Sequence, residues 1–189
     1  MERQNFSTEV TDEEIIQRAI QGDKEAFSHL YQEHVTKIYN YIYYRTGNAN
    51  DAEDLTARVF YRAMGSIQRY QQKGVPFSAW LYRIAHNMVA NWHRDNSRKR
   101  EVPLEDQIDL PFKGEQPEAT LLRNQETHYL MTYIRSLPSD RQQLVILKFV
   151  EGLPNSEIAL IMNRSEGAVK SLYHRTLETL RQKMDQNER

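Results

Sequence analysis

Residues 155–180 read NSEIALIMNRSEGAVKSLYHRTLETL, and their pattern decides the fold class of this end of the chain. Ile158, Ala159, Ile161 and Met162 predict a short helix after Pro154, and Asn163-Arg164-Ser165-Glu166-Gly167 predicts a tight turn. Val169, Leu172, Tyr173, Thr176, Leu177 and Leu180 then fall on one side of a second helix at about 100° per residue. Asn163 tolerates the left-handed backbone such a turn needs, and Ser165 has the side chain of a helix N-cap. This is the layout of a helix-turn-helix. Opposite the apolar side lie Lys170, Ser171, His174 and Glu178, with Arg175 on the flank. Such side chains suit the edges of bases in a major groove. Periodicity alone leaves two readings open, a DNA-reading pair of helices and an ordinary hairpin with a solvated face.

Working upstream, helical periodicity breaks at Gly152-Leu153-Pro154, runs back through Val150, Leu147, Ile146 and Leu144, and breaks again at Leu137-Pro138. It begins near Leu121. From Val102 to Pro117 three prolines, one glycine and many acids show no helical period, which predicts a flexible linker. The first half is helical almost throughout. Thr11 and Glu14 form a capping box for a helix carrying Ile15, Ile16, Ala19 and Ile20. Gly22-Asp23 ends it, and a longer helix follows through Phe27, Leu30, Tyr31, Val35, Ile38, Tyr39 and Ile42. After a turn at 47–50, Asn50 or Asp51 caps a helix from Ala52 to about Met64. Residues 71–76 form a loop, and a last helix runs from Phe77 to about Arg94. No alternating strand pattern and no repeat occurs. The expected fold is all-α, with small helical domains at 12–97 and 120–185 joined by a flexible acidic linker at 98–119.

Composition narrows the function classes. With 39% hydrophobic and 27% charged residues the chain has the make-up of a soluble globular protein. No apolar run approaches the roughly 20 residues that span a bilayer. Glu9, Asp12, Glu13 and Glu14 near the N-terminus do not make a signal peptide, and the absence of cysteine excludes disulfides and thiolate metal sites. A cytoplasmic protein without membrane insertion is expected. The net charge of −1 is low for a free-standing DNA binder, which usually draws affinity from a basic domain. Residues 1–94 balance 11 basic against 11 acidic residues, whereas 101–120 set six acids against Lys113 alone.

On the helix from Phe77, the side chains of Phe77, Leu81, Ile84, Ala85, Met88 and Trp92 share an apolar side. Arg83, Asn87 and Arg94 lie within about 40° of one another on a polar stripe bordered by Trp80. Two guanidiniums and an amide suit phosphates and base edges. A solvated face is the alternative for the stripe, and a core position the alternative for Trp80 and Trp92.

The fuller string Leu137-Pro138-Ser139-Asp140-Arg141, Phe149-Val150-Glu151-Gly152-Leu153, Glu157-Ile158-Ala159 and Ser165–Ser171 closely resembles the domain that reads the minus-thirty-five element in bacterial sigma factors. LuxR-type regulators share a similar string, so the first half must decide. There, Glu25-Ala26-Phe27 with Leu30-Tyr31, Asp51-Ala52-Glu53-Asp54-Leu55-Thr56 with Val59-Phe60 and Arg62-Ala63, and Phe77 with Ala79–Ala85 and Asn87 look like the core sigma domain. Order and spacing match, over roughly residues 12–97 and 120–184. The short linker points to the extracytoplasmic-function group of the sigma-70 family.

The resemblance implies a factor that binds core RNA polymerase at the clamp of beta-prime and the flap of beta, recognises and melts promoter DNA, and so starts transcription. Its polymerase-binding residues would be Asp51, Glu53, Asp54, Leu55, Arg58 and Phe60. The minus-ten element would be held by Arg69, Lys73, Trp80, Arg83, Asn87 and Arg94, with the loop 69–76 closing over a flipped base. The minus-thirty-five element would be read by Arg164, Ser165, Glu166, Lys170, Ser171, His174 and Arg175. An anti-sigma factor is a further partner the resemblance allows.

The chain departs from the family pattern at several positions. Ala57 and Arg58 stand where glutamine and an acid are common, Asn163-Arg164 where glycine and an aliphatic residue are usual, Leu172 where an arginine often reads DNA, and His86 where arginine is common. These point to an unusual promoter sequence or weaker DNA contacts. No phosphate loop, zinc-protease motif or nucleophile elbow occurs, and the six histidines include no i,i+4 pair. No enzyme activity, metal or cofactor is expected. A stand-alone helix-turn-helix regulator is the rival reading, and a pure protein-interaction module a more distant one.

Overall fold

The computed structural model describes residues 11–71, 74–99 and 131–187. Four helices build the N-terminal unit: α1 (Asp12–Ile20), α2 (Lys24–Thr46), α3 (Ala49–Ser66), followed by a 3-10 turn at Ile67–Arg69, and α4 (Phe77–Lys99). The C-terminal unit is helical over 131–135 and continues as α5 (Ser139–Val145), a π-helical turn at Ile146–Val150, α6 (Asn155–Met162) and α7 (Glu166–Asn187). Among the described residues there is no strand, as expected of an all-α chain. Lys73 and the stretch 100–130, with nearly all the expected linker, lie outside the described residues.

Local chemistry sets the helix starts. Thr11 Oγ1 accepts from the Glu14 amide at 3.3 Å while the Glu14 carboxylate accepts from the Thr11 amide at 3.0 Å, the expected capping box. Asp23 caps α2 by accepting from the amides of Glu25 and Ala26, and Arg18 at the end of α1 grips the same carboxylate through Nε at 2.9 Å and Nη2 at 2.7 Å. Backbone donation from Ala26, then Arg18, holds the Asp23 carboxyl below its ordinary range. The cap of α3 corrects the sequence reading. Asn48, not Asn50 or Asp51, accepts from the Asp51 amide at 3.0 Å, because Gly47 in the left-handed conformation ends α2 and leaves Asn48 extended.

Leu30, Ile38, Ile42, Ala52, Leu55, Val59, Phe60, Ala63, Leu81 and Ala85 fill the N-terminal core. Leu144, Leu147, Ile158, Ile161, Val169, Leu172 and Leu180 fill the C-terminal one. Leu172, standing where the family often has a DNA-reading arginine, is core. The buried side of α4 is rotated from the expected one: Tyr82 and Val89 are fully buried, while Ile84, Met88 and Trp92 are only partly so. The cause is packing that a linear pattern does not mark. α6 lies against α4, and the π turn lies against α2, so the two units are joined face to face. α4 also continues past Arg94 to Lys99.

Candidate nucleic-acid and polymerase interfaces

The turn of the helix-turn-helix forms as its residues require. Asn163 adopts φ 52° and ψ 50°, and its amide and that of Arg164 close back onto carbonyls of α6. Ser165 Oγ accepts from the Ala168 amide at 3.2 Å at the entry to α7. Val169, Leu172 and Thr176 seat α7 on the core, which turns Lys170, Ser171, His174, Arg175 and Glu178 to solvent. Arg164, Ser165 and Glu166 are exposed on the same end. Arg164 pairs with Asp140 of α5 at 3.2 Å, both half open to water, where an ion pair holds only weakly. Arg175 Nε donates to the Ser171 carbonyl at 3.3 Å, leaving the outer part of its fork facing outward. All seven residues expected at the minus-thirty-five element therefore share one open surface.

The other DNA-facing candidate is a cleft of about 410 Å³ between the end of α3 and the middle of α4. Arg62, Arg69 and Arg83 bring three guanidiniums to it, Asn87 and Asn91 two amides, and Trp80 an aromatic wall, with no acid among its lining. Trp80 is half-buried and packs on Tyr70 and Phe77 at ring distances of 5.3 and 5.5 Å, so its indole is both core and wall. Tyr70 braces the loop that follows by donating from its hydroxyl to the Val75 carbonyl at 2.6 Å. A charged cleft with a fixed aromatic face suits a nucleotide strand, whose bases stack while phosphates meet arginines. The sequence reading had Arg69, Trp80, Arg83 and Asn87 of this set. It missed Arg62 and Asn91, which a wheel drawn on α4 alone does not link to α3. Arg94 lies farther along α4, exposed, with Asp95 at 3.9 Å.

Arg83 is engaged within the chain. Its guanidinium donates to the backbone carbonyls of Leu160 and, at 3.4 Å, Ile161. These lie at the last turn of α6, the negative end of the helix dipole, where a cation is favoured.

Of the polymerase contacts expected on α3, Leu55 and Phe60 lie in the core of the chain. Both are buried, Phe60 with its ring edge-on to Tyr31 at 4.8 Å, so their side chains seat the helix. Glu53, Asp54 and Arg58 are exposed, Asp51 is half-buried, and Arg58 pairs with Asp54 one turn away at 2.9 Å. Tyr61, 77% exposed, and Met64, 52% exposed, continue this outer face. Their signal in the sequence was apolar bulk one step off the buried period. Among the described residues no group of three metal-ligating side chains occurs, and no helix is long and apolar enough to cross a membrane.

Comparison with known proteins places both halves. The sigma-70 region 2 model matches residues 30–99 and the sigma-70 region 4 model matches residues 127–180. The chain is 36% identical over 167 residues to the ECF RNA polymerase sigma factor BldN of Streptomyces coelicolor, covering 88% of this chain and 63% of that one. It is 28% identical over 179 residues to the ECF RNA polymerase sigma factor SigW of Bacillus subtilis, covering 89% and 94%. Thus the chain spans 63% of the length of the first of these relatives but nearly all of the second. The fold is also that of CnrH, solved in complex with the cytosolic domain of CnrY, at 19% identity and a TM-score of 0.69 over 92% of this chain and 97% of that one. RpoE of Bartonella quintana, solved with the anti-sigma factor NepR, gives 18% identity and a TM-score of 0.66 over 84% and 96%. With both regions present in family order, the chain belongs to the extracytoplasmic-function group of the sigma-70 family.

Proposed function

We propose that this chain is a promoter-reading subunit of RNA polymerase, which binds the core enzyme, melts the minus-ten element and thereby sets where transcription starts. The observation that carries the reading is the pairing of an open recognition helix on α7 with a cationic, tryptophan-walled cleft on α3 and α4. The outer face of α3, with Asp51, Glu53, Asp54, Arg58, Tyr61 and Met64, docks on the clamp of beta-prime. Leu55 and Phe60 support that face from beneath, and the C-terminal unit meets the flap of beta. Residues 12–97 form the polymerase-binding and minus-ten unit, 98–119 the acidic linker and 120–185 the minus-thirty-five unit.

Melting follows from how the cleft treats a strand. Lifting a base from the stack costs a few kcal/mol, and stacking on Trp80 with hydrogen bonds from Asn87 and Arg83 offsets it. Arg62, Arg69 and Arg94 hold the phosphates on either side, with Lys73 adding charge from the loop. The chain itself makes and breaks no covalent bond, and it works in the cytoplasm beside polymerase. Two of the similar folds were solved with protein partners, the cytosolic domain of CnrY for CnrH and the anti-sigma factor NepR for RpoE, so an anti-sigma factor is a fitting partner here too.

The test is co-purification with bacterial core RNA polymerase followed by run-off transcription on genomic fragments. Stable binding with new start sites is expected. Direct promoter binding without any polymerase binding would overturn the reading in favour of a stand-alone regulator.

A further inference from the structure

Two pockets of the N-terminal unit share an aromatic wall and carry opposite charge. The arginine cleft has Trp80 as its wall. Trp80 rests on Tyr70 and Phe77 at ring distances of 5.3 and 5.5 Å. The same two rings, 5.6 Å apart, line a second cavity of about 560 Å³ between α1, α2 and residues 74–78, where the chain enters α4. That volume lies within the range of about 300–1,000 Å³ in which proteins hold small ligands and side chains.

The floor of this cavity is apolar. Ile16, Leu30, Tyr70 and Phe77 are buried there, and Val75 is half-buried. The rim carries Asp12, Glu13 and Glu33, all exposed, and among the described residues that line the cavity there is no lysine or arginine. None of the three carboxylates pairs with a lysine or arginine among the described residues, and Glu33 has only the His34 ring, at 3.8 Å. His34 lines the cavity, is 8% exposed and packs on Phe77 at 5.5 Å. Burial first, then Lys37, keeps its imidazole below the ordinary range against the pull of Glu33 and Asp12. A neutral imidazole leaves the charge of the rim uncompensated.

Asp12 and Glu13 stand in the first turn of α1, where acids offset the helix dipole. Glu33 stands near the middle of α2, where the dipole asks for no acid. Carboxylates around a low-dielectric hollow focus a field that repels phosphate and attracts a cation. A metal ion does not fit, since no group of three metal-ligating side chains occurs among the described residues. An apolar floor under an acidic rim is complementary to an amphipathic cation, whose stem lies on the floor while its charged head meets the acids.

We propose that this cavity is a docking site for a protein partner, held by a basic side chain with an apolar neighbour, and that Trp80 senses the occupant through Tyr70 and Phe77. The site is separate from the strand cleft, and it can be tested without polymerase or promoter.

The chain has two tryptophans, so Trp92→Phe leaves Trp80 as the single indole. The full chain carrying this change is titrated with acetyl-Leu-Arg-Leu-amide and with acetyl-Leu-Glu-Leu-amide while indole emission is read. The arginine peptide should give a saturable change with a Kd of about 1 mM or below, and the glutamate peptide none. Asp12→Asn with Glu33→Gln should weaken the arginine peptide about tenfold, as loss of two partly exposed ion pairs does. Both positions are exposed, and circular dichroism checks that the helices persist. Glu33→Lys, a second variant, should shift the preference towards the glutamate peptide. No saturable change, equal binding of the two peptides, or undiminished binding to both variants would each overturn the inference. A single-stranded oligonucleotide that binds where the arginine peptide fails, and loses affinity in Asp12→Asn with Glu33→Gln, would give the cavity to a nucleobase and overturn it too.

Discussion

The two DNA-facing surfaces of this molecule differ in how free they are. On α7 the core takes Val169, Leu172 and Thr176, and every residue expected at the minus-thirty-five element faces water. On α4 the corresponding stripe is divided: Asn87 and Arg94 are exposed, Trp80 is half in the core, and Arg83 is bonded to the last turn of α6. One reader is ready and the other is partly covered by the unit that carries the first. The contrast teaches that affinity and melting are separable here. On the proposed reading, duplex recognition draws on α7, whereas strand capture draws on a stripe whose Arg83 already has partners in α6.

The largest effect should come from the covered side. Arg83→Ala with Asn87→Ala removes a charged and a neutral contact to the strand, and promoter melting should fall about hundredfold or more. Core polymerase binding should survive, and a filter-binding assay beside a melting assay separates the two. Next, Tyr61→Ala on the outer face of α3 should weaken core polymerase binding by about 2 kcal/mol, as removal of an exposed aromatic anchor does. A titration of labelled chain with core enzyme measures it, and duplex binding through α7 should not change. On the open side, Lys170→Ala with Arg175→Ala should weaken recruitment to the minus-thirty-five element by about tenfold for each side chain truncated. It should also flatten the dependence on salt, by about one unit of slope for each phosphate partner removed. An equal effect of these two substitutions on melting after recruitment would erase the contrast between the surfaces.

A smaller effect reports on the junction. The imidazole of His86 meets Arg45 and Tyr41 of α2, with Asp140 of α5 nearby. Burial first, then Arg45, pushes it down to about 4, against the pull of Asp140. An unfolded histidine titrates near about 6.5, so as pH falls the unfolded chain takes the proton first. The stability that neutral His86 contributes is complete above about pH 6.5 and is lost as pH falls from there towards 4. Denaturant midpoints of the wild-type chain should therefore drop more across that window than those of His86→Gln. The smallest effect belongs to the cap of α7: Ser165→Ala should cost about 1 kcal/mol, read from the same denaturation curves at neutral pH.

Much of this was legible in the sequence, for identifiable reasons. Asn163 and Ser165 announced the turn because few residues accept a left-handed backbone or cap a helix. Thr11 and Glu14 did the same for α1. The helical periods of α2 and α7 located most of their buried sides, although Tyr31 and Leu177 prove exposed and Tyr41 and Tyr43 buried. What escaped was everything that depends on a second surface. Arg45 reads as a solvated arginine until Ser139 and Gln142 arrive from nearly a hundred residues away. Tyr82 is buried against Tyr41 of α2 and bonded to Glu151 of the other unit, and Val89 is buried too, so the period of α4 alone put the apolar side in the wrong place. Leu55 and Phe60 are buried, which the family motif that singled them out does not reveal. Arg62 belongs to the cleft only because α3 and α4 cross there.

The most direct measurement is permanganate footprinting of a promoter recovered from the run-off experiment, with core polymerase, the chain, or both present. Reactive thymines at the minus-ten element only when both are present, and their disappearance with Arg83→Ala plus Asn87→Ala, is the predicted result. A duplex that stays unreactive with both present, or that melts equally well with the double variant, would contradict the account.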